Sequence, residues 1–386
     1  MPNDAMNHKQ RVHAVLEGRP PDRYPVTALY NQLYRLDHFQ ELTGLAQWRW
    51  QEWLHAPPDE YLRWFKVMHE LVPFELLQPD RAPARHIRAR TQFIELDGRP
   101  FRRDRVSGTL TPVHPPRSGH AFDDQINTIQ YVFDRKDIDE RVKVIPAERL
   151  IADGLNDYVE AVVAAYGTDH FILSGGVAGS LYMCSEHVGL LNLLAMLVEQ
   201  PTLIDYLCQR TLEQNIETVR QLAAAGGDGI YIDDAFAGCD MISVAHYERF
   251  CLPYTRELVR EIHRLNHKAI VIYYGGIADR LDQVVATGAD GLQMEASMKG
   301  YVNDIQHTVE RIGRQITLFG NLHPIRILQD GSDEELQAEI RRQVAAGRLG
   351  RGFIIATGSP ITPATPLARV QRFLELGRQL GYPAKP

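Results

Sequence analysis

Residues 226–276 read GGDGIYIDDAFAGCDMISVAHYERFCLPYTRELVREIHRLNHKAIVIYYGG. The stretch begins with an apolar strand that ends in Asp233 and Asp234, continues through a loop and a long helix, and returns to a second apolar strand that ends in Tyr273 and Tyr274. Two strands joined in this way pair in parallel through a right-handed crossover. The polar side chains that follow both strands are therefore expected at the same edge of one sheet.

The alternation of strands and helices continues through the rest of the chain from residue 147. A nucleotide-binding open sheet is not favoured, because GGVAG at 175–179 lacks the Gly-x-Gly-x-x-Gly spacing and the sequence has no Walker-type loop. The sequence therefore predicts an α/β fold, a (β/α)8 TIM-type barrel. Its strands are expected at residues 23–29, 170–174, 229–233, 269–273, 291–295, 316–319 and 352–356.

The N-terminal part departs from this alternation. A helical region rich in Tyr and Trp occupies residues 30–70. Its aromatic side chains are expected in the core, except for Tyr30 and Tyr34, which directly follow a strand end. Residues 74–144 then contain short alternating runs such as HIRARTQFIELDG and INTIQYVF, separated by turns. We predict one barrel domain over residues 1–386, with an antiparallel β insertion at residues 74–144. A capping box is expected where Ser332 precedes Glu335 by three residues.

The composition of the chain limits the classes of partner it is expected to bind. The 386 residues carry a formal charge of −7, so no basic field attracts nucleic acid or an anionic membrane. No long apolar run or signal peptide is evident, which predicts a cytoplasmic protein with a small-molecule substrate. The four cysteines have wide, irregular spacings, typical of reduced thiols rather than a disulfide framework or zinc ribbon.

In a barrel, chemistry belongs at the carboxyl ends of the strands. Acids there can transfer protons or bind metal, and glycines, aromatic rings and hydroxyls can surround a ligand. The candidate catalytic residues are Asp233, Asp234, Glu295 and His323, and the candidate metal ligands are Glu295, His323 and Cys239. The candidate substrate-binding residues are Tyr30, Tyr34, Gly176, Phe236, Tyr273, Tyr274, Asn321 and Ser359.

Structural roles compete with these assignments. Asp233 and Asp234 can cap the next helix, and Asp234 can point outward from the barrel. His323 precedes Pro324, which is typical of a turn histidine. The tyrosine pair can simply pack at the barrel mouth. A carboxylate after an apolar barrel strand has little structural reason to be there, so Glu295 is the hardest of these to explain without function.

Several segments together resemble the uroporphyrinogen decarboxylase superfamily. These are HKQRVHAVLEGRPPDRYPV near the N-terminus, GGDGIYIDD, GADGLQME, YERFCLPYTRELVREIH, the GNLHP turn and the closing TGSPITPATPLARVQRFLE. The resemblance spans nearly the whole chain and implies a (β/α)8 barrel that forms a homodimer. It also implies one of two activities: decarboxylation of porphyrinogens without a cofactor, or methyl transfer linked to cobalamin, commonly with zinc.

The sequence departs from both patterns. The arginine-rich RQAGRY segment that binds substrate carboxylates in the decarboxylases corresponds here to TALYNQLYRLDHF, which retains only Arg35, and their Phe-Ser-Asp loop has no clear counterpart. The His-x-Cys-Gly motif and later Gly-Cys of the zinc methyltransferases are replaced at Ile272, Tyr274 and Ser359. Zinc or another divalent metal would need different ligands.

These departures favour a methyltransferase that demethylates a small methylated compound and passes the methyl group to cobalamin. The corrinoid-binding Asp-x-His-x-x-Gly motif is absent, so the corrinoid is expected on a separate partner protein. One alternative is a decarboxylase or related lyase acting on an acid smaller than uroporphyrinogen. A second is a non-catalytic barrel that binds a ligand or corrinoid.

Overall fold

A computed structural model describes residues 5–28, 30–114, 132, 134–298 and 300–382. Its strands are β1 (Leu76–Leu77), β2 (Thr91–Leu96), β3 (Arg99–Asp104), β4 (Leu110–Pro112), β5 (Phe171–Ala178), β6 (Gly229–Asp234), β7 (Lys268–Tyr273), β8 (Gly291–Met294), β9 (Thr317–Phe319) and β10 (Phe353–Ile354). Seven of them form one parallel sheet in the order β1-β5-β6-β7-β8-β9-β10.

The sheet closes at Val26. On one side Val26 bridges Ile355 in parallel, and on the other its carbonyl accepts a hydrogen bond of 3.2 Å from the Glu75 N–H. Val26 thus takes the eighth strand position and confirms the (β/α)8 barrel. The strand predicted at residues 23–29 shrinks to this bridge because Pro25 has no N–H to continue the ladder.

Helices cover the outside of the barrel, and their buried apolar faces pack on the sheet. The α-helices are His8–Leu16, Asn31–Asp37, Phe39–Thr43, Arg49–Trp53, Pro58–Leu71, Arg85–Arg90, Arg135–Arg141, Ala147–Ala152, Asp157–Tyr166, Ser180–Val188, Leu190–Glu199, Pro201–Ala224, Val244–Phe250, Leu252–Arg264, Leu281–Val285, Ile305–Ile312, Asp333–Gly347 and Leu367–Leu380, and a π-helical turn spans Pro324–Gln329. The capping box is confirmed, since Glu335 N donates to Ser332 Oγ at 3.2 Å and Ser332 N to Glu335 Oε2 at 2.8 Å.

No single helix in the described part of the chain is long and apolar enough to cross a membrane. Helices Ser180–Val188 and Leu190–Glu199 meet the length and composition criteria only as a pair, and the pair bends by 107°.

Most aromatic residues of the predicted helical region lie in the core or pack against it, as expected, whereas Trp48 is half-buried outside the core. Trp53 stacks on Tyr61 with 4.8 Å between ring centroids, and Tyr61 stacks on Tyr158 at 3.9 Å. All three side chains are buried. They join the N-terminal helices to the helix that precedes β5.

The insertion is an antiparallel sheet of order β2-β3-β4, confirming the predicted type of structure. Its limits differ from residues 74–144, because Leu76–Leu77 pairs with β5 inside the barrel. A two-residue strand buried on both faces has no alternation by which the sequence could reveal it. The predicted strand INTIQYVF lies, apart from Val132, outside the described residues.

Candidate active site

Three side chains converge where the carboxyl ends of the strands meet. Asp233 lies near the end of β6, Tyr274 follows β7, and Tyr30 follows the Val26 bridge. Tyr30 has a φ of 48°, a left-handed conformation that is costly for a residue other than glycine. From this turn its hydroxyl donates a hydrogen bond to Asp233 Oδ2. A strained position that delivers a side chain to an acid is typical of a functional site.

Asp233 is the acid at the centre of this group. Burial raises the pKa of its carboxyl to about 6, and the hydrogen bond from Tyr30 opposes that rise. Its second oxygen, Oδ1, is buried and has no hydrogen-bond partner among the described residues. Buried polar atoms are almost always paired, so an unpaired one needs an explanation. A proton carried on Oδ1, with a ligand to receive it, would provide one.

Tyrosine rings surround Asp233. The Tyr30 ring lies edge-on to Tyr231 with centroids 5.5 Å apart, and parallel to Tyr274 at 6.2 Å. Burial and the nearby Asp233 carboxylate raise the pKa of the Tyr231 and Tyr274 phenols. These phenols therefore remain protonated and neutral, so the wall around Asp233 is aromatic and uncharged.

Gly176 and Phe236 border this wall. A Cβ atom at Gly176 would lie 2.1 Å from the Tyr231 ring, so the missing side chain makes room for Tyr231 rather than for the predicted ligand. Phe236 is buried and packs edge-on against Tyr182 at 5.4 Å. Burial and Asp233 raise the pKa of Tyr182 as well. Phe236 and Tyr182 thus extend the aromatic wall.

Asp234, a predicted catalytic residue, and Tyr273, a predicted substrate-binding residue, face away from the barrel mouth; for Asp234 this is the outward orientation that the sequence had left open. Neighbouring strand residues point to opposite faces, so Asp234 faces the outer helices while Asp233 faces the mouth. The Thr255 hydroxyl donates to Asp234 Oδ2 at 3.4 Å, and the Tyr247 and Tyr273 hydroxyls lie 2.5 Å apart. Burial and the adjacent Asp233 raise the pKa of Asp234 to about 7.

Glu295 is engaged on both carboxylate oxygens. Oε2 accepts hydrogen bonds from the Gly275 N–H at 2.8 Å and from the Tyr301 hydroxyl, and Oε1 accepts from Ser359 Oγ at 3.5 Å. The side chain is buried. These contacts give the carboxylate a structural role, which is to hold the loop that follows β7, while its predicted catalytic role remains a prediction.

Asn321 and Ser359, predicted to bind substrate, belong to the same network. Asn321 Nδ2 donates to the Asn303 carbonyl at 2.6 Å, and Asn303 Nδ2 donates to the carbonyls of Gly275 at 2.9 Å and Glu295 at 3.0 Å. Ser359 reaches the network through Glu295. Together these contacts fix the backbone beside Tyr274.

His323 caps the π-helical turn. Its Nδ1 accepts hydrogen bonds from the N–H groups of Ile325 at 3.3 Å and Arg326 at 3.2 Å. Burial and the Arg326 charge lower the pKa of the imidazole. The neutral ring with an accepting Nδ1 is the form a cap requires, so the contacts support a turn role over a catalytic one.

The candidate metal ligands do not form a site. The described residues contain no group of three or more His, Cys, Asp or Glu side chains placed to hold one ion. Glu295 is committed to the loop, His323 to its cap, and Cys239 is exposed with its sulfur beside Gly276. Zinc or another divalent cation bound by these three residues does not fit this arrangement.

Tyr34 and Arg35 are buried among the N-terminal helices and are engaged in contacts within the protein. Tyr34 is buried and stacks on His38 at 4.0 Å. The Arg35 guanidinium is buried, donates to the Gln78 carbonyl at 2.6 Å, and pairs with Asp80 at 3.5 Å. The arginine retained after the first strand position is therefore already neutralised within the protein.

Sequence reasoning missed Tyr231, Tyr182 and Tyr301. Tyr231 could have been found, because it lies two residues before Asp233 on the same strand and so shares its face. Tyr182 and Tyr301 reach the site from a helix and a loop, and nothing in the local pattern of the sequence marks them.

Comparison with known proteins identifies the family. The model of the uroporphyrinogen decarboxylase (URO-D) family matches residues 123–380. The chain belongs to this family. Among similar proteins is a uroporphyrinogen decarboxylase from Alkalilimnicola ehrlichii, 26% identical over 276 residues, which are 69% of this chain and 70% of that protein.

Methyltransferases are among the similar proteins too. Methylcobamide:CoM methyltransferase MtbA from Methanosarcina acetivorans is 26% identical over 182 residues, 47% of this chain and only about half of that protein, at 50%. A solved structure, a methyltransferase from Methanosarcina mazei, superposes with a TM-score of 0.69 at 19% identity and covers 97% of this chain and 99% of that one. At that identity the superposition establishes the fold alone. The URO-D relatives are enzymes of both classes, which supports an enzymatic role for this chain without fixing the reaction.

Proposed function

We propose that this URO-D protein is a methyltransferase that demethylates a small, uncharged methylated compound and passes the methyl group to a corrinoid carried by a separate protein. The observation behind the proposal is the environment of Asp233. Its carboxyl has a raised pKa and is held on Oδ2 by Tyr30, while Oδ1 is unpaired. That arrangement suits a general acid aimed at a neutral substrate.

The chemistry requires such an acid. When a methyl group leaves an oxygen, nitrogen or sulfur atom, that atom keeps the bonding electron pair and is a poor leaving group unless it is protonated. Asp233 Oδ1 donates the proton, which leaves a neutral heteroatom product and an aspartate stabilised by the Tyr30 hydroxyl. A reduced corrinoid on the partner protein would supply the electron pair of the new bond to the methyl carbon. Tyr30 thereby both orients the acid and stabilises its charged form.

The aromatic wall restricts the substrate. Tyr30, Tyr231 and Tyr274 offer ring faces and protonated phenols, which suit an apolar or aromatic compound with a single polar group. A substrate with several carboxylates needs cations, and Arg35 is buried against Asp80. Arg280 is also buried and donates to the carbonyls of Ala237 and Ile242. The charge distribution favours demethylation over decarboxylation of a polyanionic acid.

The test supplies free cob(I)alamin and a panel of O-, N- and S-methylated aromatic compounds, and follows methylcobalamin by its absorbance. The wild type is expected to form methylcobalamin with at least one compound. The rate should fall as the pH rises above about 6, because Asp233 must be protonated. Asp234→Asn is the matched control, the same chemical change one residue further along on the other face of β6, and should retain the rate within about three-fold.

Other outcomes would redirect the proposal. Release of carbon dioxide from a small carboxylic acid, lost in Asp233→Asn, would assign the alternative lyase activity, in which the same acid protonates a carbanion. Ligand or cobalamin binding without turnover in either assay would favour the non-catalytic barrel. The homodimer implied by the sequence resemblance remains a prediction, to be checked by sedimentation.

A further inference from the structure

The outer face of the sheet formed by β2, β3 and β4 carries arginines that pair with no acidic side chain among the described residues. Cross-strand pairing places Ile94 opposite Phe101, Leu96 opposite Arg99, and Arg103 opposite Leu110. Paired residues share a face of a sheet, so these six side chains form one surface, which we call the arginine face. On the other face Phe93 contacts His55 at 5.4 Å, which orients that side toward the barrel.

The arginine face combines exposed apolar side chains with unpaired charge. Leu96 and Leu110 are each 43% exposed, and Ile94 and Phe101 are half-buried between them. Arg99 and Arg103 are exposed and make no ion pair with any described residue. An aromatic and aliphatic centre flanked by arginines is the composition enriched in protein interfaces.

The positive charge of the insertion indicates what kind of partner its arginine face can bind. Residues 81–111 contain eight arginines against three acidic residues, a formal charge of +5, whereas the whole chain carries −7, which leaves −12 for the rest. A two-fold dimer that joins two such faces would place like charges together, and a head-to-tail contact with the acidic remainder would not close into a dimer. Nucleic acid is disfavoured by the exposed apolar centre and the overall negative charge. The complementary partner is a different protein with an acidic surface.

The insertion lies on the same side of the barrel as Asp233. It follows the carboxyl end of β1, and both Arg85 and Arg88 bind Asp157 at the start of the helix that leads into β5. A cleft of about 830 Å³ separates the insertion from the barrel there, lined by His55, Arg85, Arg105 and Asp157 among others. A protein bound to the insertion would therefore stand next to the barrel mouth.

We infer that the arginine face is the docking site for the acidic protein that carries the corrinoid acceptor. This inference rests on the proposed function. A corrinoid is too large to be delivered without the protein that carries it approaching the mouth, and a docking surface beside the mouth raises the rate of productive encounter. Ile94 and Phe101 supply the apolar contact, and Arg99 and Arg103 select an acidic partner.

The test compares methyl transfer to two acceptors: free cob(I)alamin, and the purified corrinoid protein of the same organism that accepts methyl groups fastest from the wild type. In Arg99→Glu/Arg103→Glu, kcat/KM for the protein-bound acceptor should fall about 10-fold or more, with a weaker salt dependence. The rate with free cob(I)alamin should stay within about two-fold of wild type. Arg314→Glu/Arg341→Glu, which makes the same charge change at exposed arginines elsewhere on the barrel, should lose neither activity.

Leu96→Ser tests the apolar part of the face and provides a second variant should the arginine double variant not fold. It is expected to lower kcat/KM for the protein acceptor about three-fold. Equal rates for wild type and arginine variant with the protein acceptor would overturn the docking site, as would a parallel loss with both acceptors. So would altered sedimentation of the chain alone in the variant, which would indicate self-association, or loss of duplex DNA binding, which would indicate nucleic acid. A wild type inactive with both acceptors would instead overturn the proposed function and this inference with it.

Discussion

At the end of β6, Asp233 has one carboxylate oxygen bound by Tyr30 and the other without a partner among the described residues, whereas at the end of β8 Glu295 accepts hydrogen bonds on both oxygens. Both acids follow apolar strands of the same barrel and both looked catalytic from the sequence. Their surroundings separate them, because Oε2 of Glu295 already accepts from a backbone N–H and a phenol, which ties that carboxylate to the loop, while Oε1 has a long contact with Ser359. Asp234 Oδ1 is unpaired among the described residues as well, so it is an unpaired oxygen on the mouth side of β6, rather than an unpaired oxygen alone, that marks Asp233 for chemistry.

The largest effect is expected on kcat, and it shows which of the two acids, Asp233 or Glu295, takes part in catalysis. Asp233→Asn removes the proton donor, and kcat for demethylation should fall about 100-fold or more, the usual contribution of a general acid. Glu295→Gln keeps the shape of its side chain and should lower kcat much less. Steady-state rates of methylcobalamin formation measure both. A greater loss in Glu295→Gln would reverse the comparison.

Asp234→Asn tests the acid on the other face of β6 through the pH dependence of stability. The pKa of Asp234 is raised to about 7, so the folded protein binds its proton more tightly than the unfolded chain and wild-type stability falls as the pH rises from about 4 to beyond 7. The variant lacks this titration. The free energy of unfolding of Asp234→Asn, measured relative to that of the wild type, should therefore rise by roughly 2 kcal/mol between pH 5 and pH 8. Urea unfolding at the two pH values measures it, and a constant difference would contradict the assignment.

Glu295→Ala tests the bracing role directly. The buried Gly275 N–H and the Tyr301 hydroxyl lose their acceptor, which should lower the free energy of unfolding by about 1–3 kcal/mol. Ser359→Ala removes only a hydroxyl that donates at 3.5 Å and should cost far less. Thermal unfolding of both variants gives the ranking. If the two proved equal, Glu295 would not be the centre of the network.

Tyr30→Phe is expected to have the smallest effect. Its hydroxyl lowers the pKa of Asp233, so removing it should raise that pKa above about 6 and move the fall in rate with increasing pH to higher values. The maximal rate should drop only about 3- to 10-fold, because the acid itself remains. The pH profile of kcat distinguishes this shift from simple structural damage. An unchanged profile would show that Tyr30 does not set the acidity of Asp233.

Much of the fold followed from local pattern. The alternation around residues 226–276 predicted strands that match β6 and β7 to within a residue, and the turn-rich runs predicted the antiparallel sheet. The pattern failed where pairing was short. Leu76–Leu77 and Val26 each contribute one or two residues to the barrel, and such short elements carry no periodicity of their own.

The site was less accessible to sequence reasoning. Asp233, Tyr30 and Tyr274 were named from their strand ends and do lie together. His323 and Glu295 were named for the same reason, and Cys239 for its nearness in sequence, yet they are engaged in a cap, a loop network and an exposed turn. Which hydrogen bonds a strand-end residue makes depends on segments far away in the chain, such as Tyr301 and Ser359 for Glu295.

The sequence by itself determined the parallel barrel, the side of it that carries polar groups and the loss of the zinc-binding motif, because periodicity and residue identity are local properties. The tertiary structure alone decided that Asp233 faces the mouth with an unpaired oxygen while Asp234, one residue on, is buried behind the sheet. Burial and hydrogen-bond satisfaction set the proton affinity of an acid, and both arise only when distant segments pack together. The stretch that fixed the fold therefore also contains the acid proposed for catalysis, but its chemistry depends on Tyr30, about 200 residues away in the chain.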